Sequence, residues 1–295
     1  MKIVPVVNQK GGVGKTTVCR HLMKMLSERD FRVLAIDMDA QRNLDVYLGC
    51  DIDYNDLNTL NMYHVLRQEA SLKDAIVHTE DGSGDIVRAD NRMYSFTGKP
   101  LVTLEEYFSF KGNPVGLYDH ISKNVEALSD NTSGERTILR RALLEVEEDY
   151  DFVLIDTNPD LGYLTTLSLL SGEEIYPLIP AFAEESSLQS LLALYDTIST
   201  LLMHDYRTSI KIAGVLISKF ERTSNEKLLL ADITTFARDH GFPVFESKIP
   251  KSIAVAEGMS TATDAFARRK NSPLETAYRD FCDEFLNRMN VIATK

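Results

Sequence analysis

The feature that most constrains this chain is an apolar run that ends in glycines and a lysine. Ile3-Val4-Pro5-Val6-Val7 reads as a short buried strand, and Asn8-Gln9-Lys10-Gly11-Gly12-Val13-Gly14-Lys15-Thr16-Thr17 follows at once. A helix is predicted from about Thr16 to Arg29, with Val18, Leu22, Met25 and Leu26 at helical spacing. Gly11, Gly12 and Gly14 free the backbone to curl, so that successive N–H groups, including that of Val13, converge on one anion. The helix behind them adds unpaired N-terminal donors and the positive end of its dipole. Lys15 then supplies a point charge for the outer phosphates of a nucleotide, and Thr16 a hydroxyl for Mg²⁺, with Thr17 beside it. Gln9 stands where such loops usually carry their first glycine, so the pattern is a deviant one. ATP and Mg²⁺ are the expected ligands. Lys10 is the unusual residue, because a lysine at the loop's start does not easily reach its own outermost phosphate.

The rest of the chain alternates apolar runs with helical patterns, which predicts an α/β fold: a three-layer sandwich around a mostly parallel, twisted sheet. Strands are expected at Val33–Ile36, Phe152–Ile155, Ile175–Ile179, Ile212–Ile217 and Val244-Phe245, and a final helix at about Pro273–Met289. Polar groups collect just past these strands: Asp37 and Asp39, Asp156, Ser218, and Pro250 after Lys248-Ile249. Ligands of open α/β sheets bind at that edge. Residues 1–295 are read as one domain carrying an acidic, helical and loop-rich insertion over 51–130, after the second strand. Within it helices are expected near Leu60–Gln68 and Leu72–Val77, and turns at Gly82-Ser83-Gly84, Gly98-Lys99-Pro100 and Gly112-Asn113-Pro114.

The loop and two further blocks carry a resemblance. Lys10-Gly11-Gly12-Val13-Gly14-Lys15-Thr16-Thr17 is similar to the deviant Walker A loop of the ParA/MinD ATPases, which have the P-loop NTPase fold. Asp37-Met38-Asp39-Ala40-Gln41-Arg42-Asn43 and Asp151–Gly162 resemble the switch I and Walker B blocks of its Soj-like partition branch. Ala40 stands for the usual proline, Arg42 for the usual glycine and Asn158 for the first proline of the Walker B block. The resemblance implies a hydrolytic ATPase in which Lys10 and Lys15 act on the phosphates and Asp39 orients the attacking water. It implies that Asp156 holds Mg²⁺ through water, with Thr16, while Asp37 supports the metal or the switch geometry. Lys10 would reach across to the nucleotide of a second subunit, so that ATP joins a homodimer and hydrolysis releases it. Ser218 and Pro250 would lie near the adenine.

Partners are read from charge. The net charge of −12 opposes nucleic-acid binding, but it is unevenly spread: residues 51–203 hold 27 acidic against 10 basic side chains, and 204–270 hold 8 against 11. The resemblance implies non-specific DNA binding through dispersed cations, here Lys219, Arg222, Lys248, Lys251, Arg268, Arg269 and Lys270. It also implies a centromere-binding, ParB-like adaptor that stimulates hydrolysis. The last helix carries acids beside its aromatics and no Lys/Arg-rich face, which argues for core packing rather than a membrane. Cys19, Cys50 and Cys282 show no paired spacing. The expected place is the cytoplasm, on the nucleoid. The alternative is a MinD-like or cargo-positioning ATPase that works on a membrane or protein scaffold without DNA, and a metabolic P-loop enzyme is a third reading.

Overall fold

The computed structural model describes residues 1–50, 59–96, 137–204, 208–221, 223–255 and 272–291, with positions 109, 113, 116 and 119. Arg222, Arg268, Arg269, Lys270 and the expected turn at Gly98-Lys99-Pro100 lie outside the described residues.

The strands are β1 (Lys2–Val6), β2 (Val33–Met38), β3 (Ile76–His78), β4 (Asp85–Val87), β5 (Phe152–Thr157), β6 (Glu174–Ile175), β7 (Leu178–Ala181), β8 (Ser209–Ile210), β9 (Gly214–Phe220) and β10 (Val244–Pro250). They form one sheet in the order β10-β9-β7-β1-β5-β2-β4-β3, with β6 and β8 attached beside β1. All pairings are parallel except β3 with β4. Described helices are α1 (Lys15–Ser27), α2 (Asn43–Tyr47), α3 (Met62–Leu66), α4 (Ile138–Leu144), α5 (Tyr163–Leu169), α6 (Glu185–His204), α7 (Ser224–Asp239) and α8 (Pro273–Arg288).

The three layers follow from strand periodicity. Leu34, Ile36, Val153 and Ile155 point into one core with α3 to α7, while Val33, Ala35, Phe152 and Leu154 point into the other with α1 and α8. The central strands β1, β2, β5 and β7 are buried on both faces, which is why their runs are almost wholly apolar. The final helix behaves as expected: Phe281 and Phe285 are fully buried, and Ser272 caps it by accepting from the Glu275 amide.

Two expectations need correction. The helix expected over Leu72–Val77 does not form; a single 3₁₀ turn at Lys73–Ala75 gives way to β3, which pairs with β4 as a hairpin. The β-branched pair Ile76-Val77 and the Gly82-Ser83-Gly84 turn favour that pairing over one more helical turn. Gly84 is required there, because a Cβ would lie 2.6 Å from the Val33 carbonyl oxygen. Part of the expected insertion therefore extends the main sheet, since β4 lies parallel to β2. The run Ile175–Ile179 is also two strands rather than one, broken at Tyr176-Pro177.

Candidate functional site

The site lies past the carboxyl ends of β1, β5 and β2, three adjacent strands. In their register Val6 faces Asp156 and Asp156 faces Asp37. One rung of the sheet therefore carries two carboxylates beside the start of the glycine loop.

Gly12 and Gly14 adopt φ values of 73° and 95°, the left-handed region that glycine enters freely, and Gly14 caps α1. A Cβ on Gly11 or Gly12 would meet nothing closer than 4.0 Å, so these positions are set by backbone shape and open space. Val13 is fully buried, and its carbonyl accepts from Ser218 Oγ at 2.6 Å. Ser218, expected near an adenine, thus ties the loop to the end of β9. Asn8 performs a similar service: its Nδ2 donates to the Pro180 carbonyl at 2.8 Å and its Oδ1 accepts from the Lys10 amide at 2.8 Å. Sequence reading passed over Asn8, although a short polar side chain at the last residue before such a loop is a signal for this bracing.

Lys15 is buried, with its ammonium donating to the Asn8 carbonyl at 3.0 Å. Burial pulls its pKa down, while Asp156, Asp39 and Asp160 oppose that shift. Lys10 takes the other direction. Its ammonium leaves the loop, pairs with Glu184, and donates to Ser186 Oγ at 2.6 Å at the start of α6.

Asp37 is fully buried, and its two oxygens accept the Asp39 amide at 2.9 Å and the Leu44 amide at 3.1 Å. It shapes the loop between β2 and α2. Asp39 Oδ1 accepts the Gln41 amide at 3.0 Å, which leaves its second oxygen for other work. Arg42 sits at φ 59°, a conformation that costs a non-glycine residue about 1–2 kcal/mol. Glycine would relax there. Arg42 instead places Nε 3.2 Å from Asp45 Oδ2, forming a pair in which both side chains are buried. Burial raises Asp45 to about 7 despite that arginine.

Asp156 is fully buried, and its two oxygens have no well-formed hydrogen bond, the Thr16 hydroxyl being the polar group that interacts with them. Desolvation pushes its carboxyl up to about 7, with Thr16 and Lys15 pulling the other way. An uncompensated buried carboxylate beside a threonine hydroxyl suits a hard, hydrated cation. The residues present therefore fit Mg²⁺. Asp160, absent from the sequence-based set, belongs to the same field: desolvation raises its carboxyl, the Asp39 charge adds to that, and Lys15 opposes it. Its oxygens hold the Gly162 amide at 2.7 Å and Asn158 Nδ2 at 2.5 Å. Asn158, in place of a proline, thus gains a partner.

Of the residues expected to contact DNA, Lys219, Lys248 and Lys251 are described, and each is engaged within the chain. Lys219 lies at the nucleotide loop, its ammonium donating to the Gly12 carbonyl at 3.0 Å. Lys248 donates to the Glu246 carbonyl at 2.7 Å, and Lys251 pairs with Glu221 at 3.2 Å. Pro250 ends β10 and lines a cavity of about 840 Å³ with Phe220, Glu221, Lys248 and Asp280. No residue of the glycine loop lines it.

Comparison with known proteins agrees with this geometry. The model of the CobQ/CobB/MinD/ParA nucleotide binding domain matches residues 4–263. The sporulation initiation inhibitor protein Soj of Bacillus subtilis is 28% identical over 260 residues, covering 88% of each chain. The chromosome-partitioning ATPase Soj of Thermus thermophilus is 27% identical, covering 97% of this chain and 96% of its own. Among solved structures, apo McdA of Cyanothece superposes with a TM-score of 0.74 at 20% identity, covering 97% of this chain and 99% of its own. Cobyrinic acid a,c-diamide synthase of Mycobacterium smegmatis, with a bound ATP analog and magnesium, gives 0.71 at 25%, covering 98% and 96%. The chain belongs to the CobQ/CobB/MinD/ParA nucleotide-binding family and is an ATP-binding, ATP-hydrolysing P-loop enzyme.

Proposed function

We propose that this protein is a partition ATPase whose two copies pair across bound ATP, bind DNA without sequence preference, and separate on hydrolysis. The observation that carries the reading is Lys10. Its ammonium turns out of its own loop and is held by Glu184 and Ser186, so its charge is directed away from the phosphates that Lys15 serves. A cation presented in that way suits a nucleotide on a second subunit. ATP contacting both subunits would then stabilise the pair by linkage. The Soj relatives, similar over most of the chain, support the partition assignment.

In this reading the loop amides of Gly11 to Thr17 and the Lys15 ammonium hold the phosphates. Asp39 accepts a hydrogen bond from the attacking water, its free oxygen being the one not committed to Gln41. Asp37 keeps Asp39 in place through the backbone. Thr16 directly and Asp156 through water would hold Mg²⁺, which neutralises phosphate charge when bound. Ser218 braces the loop, and Pro250 marks the side of the sheet where the base would rest. An adaptor bound at a centromere would stimulate turnover, and the protein would act on the nucleoid in the cytoplasm.

Lys248 and Lys251, with Arg222, Arg268 and Arg269, are the candidate DNA contacts. The pairing of Lys251 with Glu221 weakens one DNA contact, and the second reading is a MinD-like or cargo-positioning ATPase that works on a membrane or protein scaffold without DNA. DNA binding by the purified protein with ATP, ADP or no nucleotide, at two salt concentrations, separates the two. Binding that needs ATP and weakens with salt is the expected result. Absence of binding under every condition removes DNA from the function. Lys10→Ala is expected to lose ATP-dependent dimerisation, and a dimer indifferent to that change would dispose of the shared-nucleotide face.

A further inference from the structure

Lys219 was the first of the dispersed cations expected on DNA, yet it lies at the glycine loop. Its position is built rather than incidental. It is the second-last residue of β9, one step beyond Ser218, whose hydroxyl is bonded under the same loop. Its backbone turns to φ 53°, a left-handed conformation that a lysine adopts only against a steric penalty. That turn carries the side chain to the loop, where Nζ donates to the Gly12 carbonyl at 3.0 Å.

The ring of Phe182 lies beneath it, 5.0 Å from the ammonium to the ring centroid. Lys10 approaches the same ring at 5.6 Å. Two ammonium groups therefore share one aromatic platform at the mouth of a phosphate-binding loop. Their treatment differs. Lys10 has a carboxylate partner in Glu184. Lys219 has no carboxylate within ion-pair distance among the described residues, and an ammonium with three donors uses only one, on a backbone carbonyl. Lys219 thus sits near a second ammonium with no carboxylate of its own, and an anion arriving at the loop would relieve that charge. The anion this loop receives is a phosphate chain.

We propose that Lys219 is a phosphate-binding residue of the nucleotide site, a third lysine beside Lys10 and Lys15, and not primarily a DNA contact. On nucleotide binding its spare donors engage phosphate oxygens at the outer rim of the loop, while Lys15 serves the buried side. Its left-handed backbone and the Phe182 ring fix the direction from which the charge enters. The inference rests on the nucleotide site alone and stands whether or not the protein pairs or binds DNA.

The test is equilibrium titration of the wild-type protein, Lys219→Met and Lys219→Arg with a fluorescent ATP analogue and Mg²⁺, without DNA. Binding by short double-stranded DNA is measured in parallel, and the melting temperature without nucleotide is the control. Lys219→Met is expected to weaken nucleotide binding about 10-fold, a loss of about 1.4 kcal/mol. Lys219→Arg should recover most of that loss, because it keeps the charge, and all three proteins should melt alike without nucleotide. Raising the salt concentration should shrink the difference between wild type and Lys219→Met. Nucleotide affinity within twofold of wild type in Lys219→Met would overturn the proposal, and doubly so if DNA binding fell instead. A nucleotide loss that arginine fails to restore, with a lowered melting temperature, would also overturn it, leaving Lys219 as a brace on Gly12.

Discussion

The ends of β1, β2 and β5 and the ends of β9 and β10 both gather charged side chains, but they treat that charge in opposite ways. At the first, Asp37 and Asp156 are fully buried and Lys15 nearly so, and Asp156 keeps two oxygens without a well-formed hydrogen bond. At the second, Lys251 and Glu221 are well exposed and already satisfy each other. A buried charge left unpaired is costly, and a fold retains it where a ligand will compensate. An exposed ion pair contributes about 0–1 kcal/mol and requires no ligand to explain it. The contrast separates a buried site built for chemistry from an exposed pair just past β9 and β10, beyond the Ser218 and Lys219 that reach the glycine loop.

The sharpest way to break that distinction is Asp39→Ala. The hydrogen bond that its side chain accepts is a single one, from the Gln41 amide, so its loss should leave the fold intact. If its free oxygen orients the attacking water, single-turnover phosphate release should fall about 100-fold or more, with nucleotide affinity within a few-fold. The variant should accumulate in the ATP-bound form. Turnover equal to wild type would strip Asp39 of its role and reduce the region to strand-end capping.

The same contrast explains what could be read in advance. Ile3–Val7, Val33–Ile36 and Phe152–Ile155 were readable as strands because burial on both faces demands unbroken apolar runs. The carboxylates that end those runs were readable for the same reason, since a charged residue closing a buried strand stands out. Leu72–Val77 misled because a six-residue apolar pattern fits a helix turn as well as a strand. The fate of Ile76-Val77 was decided by a tertiary partner, β4, nine residues or so along the chain. Lys219 was illegible in kind. Spacing and charge place it on a surface, and only its positive φ and the proximity of Gly12 move it to the loop. Lys10 and Glu184 are likewise far apart in sequence and meet only because β1 and β7 are neighbours in the sheet.

Asp156→Asn sharpens the buried side of the comparison through stability. Burial holds the Asp156 carboxyl up near 7, well above the ordinary carboxylate value of about 4. Between those two values the native state keeps a proton that the unfolded state has lost. Stability without nucleotide therefore falls as pH rises through that window, and it is lowest above it. The asparagine variant lacks this contribution, though Asp45, also raised to about 7, retains its own. At pH 8 the variant should be more stable than wild type by about 2 kcal/mol, or about 5 °C in melting temperature, and the gap should close towards pH 4. Mg²⁺-dependent hydrolysis should be lost in the same protein. A variant that melts below wild type at pH 8 would mean that the buried carboxylate is compensated after all.

The smallest effect belongs to the exposed side, and it decides whether that face has any function. Lys251 is 62% exposed and Glu221 50%, and their closest approach is 3.2 Å. Breaking the pair with Glu221→Gln should leave the melting temperature within about 2 °C of wild type, as for most exposed pairs. If DNA phosphates are the natural partner of Lys251, the glutamate competes with them. Glu221→Gln should then strengthen ATP-dependent DNA binding about threefold, while Lys251→Gln weakens it and lowers the salt slope by about one. If the face is only solvated, both variants bind DNA as wild type does and the salt slope does not move. A general change in net charge would give the same opposing signs, and it would act equally at any surface glutamate, so specificity is decided by a glutamate elsewhere. A control at Glu147, distant in sequence and acidic, should therefore leave DNA affinity unchanged.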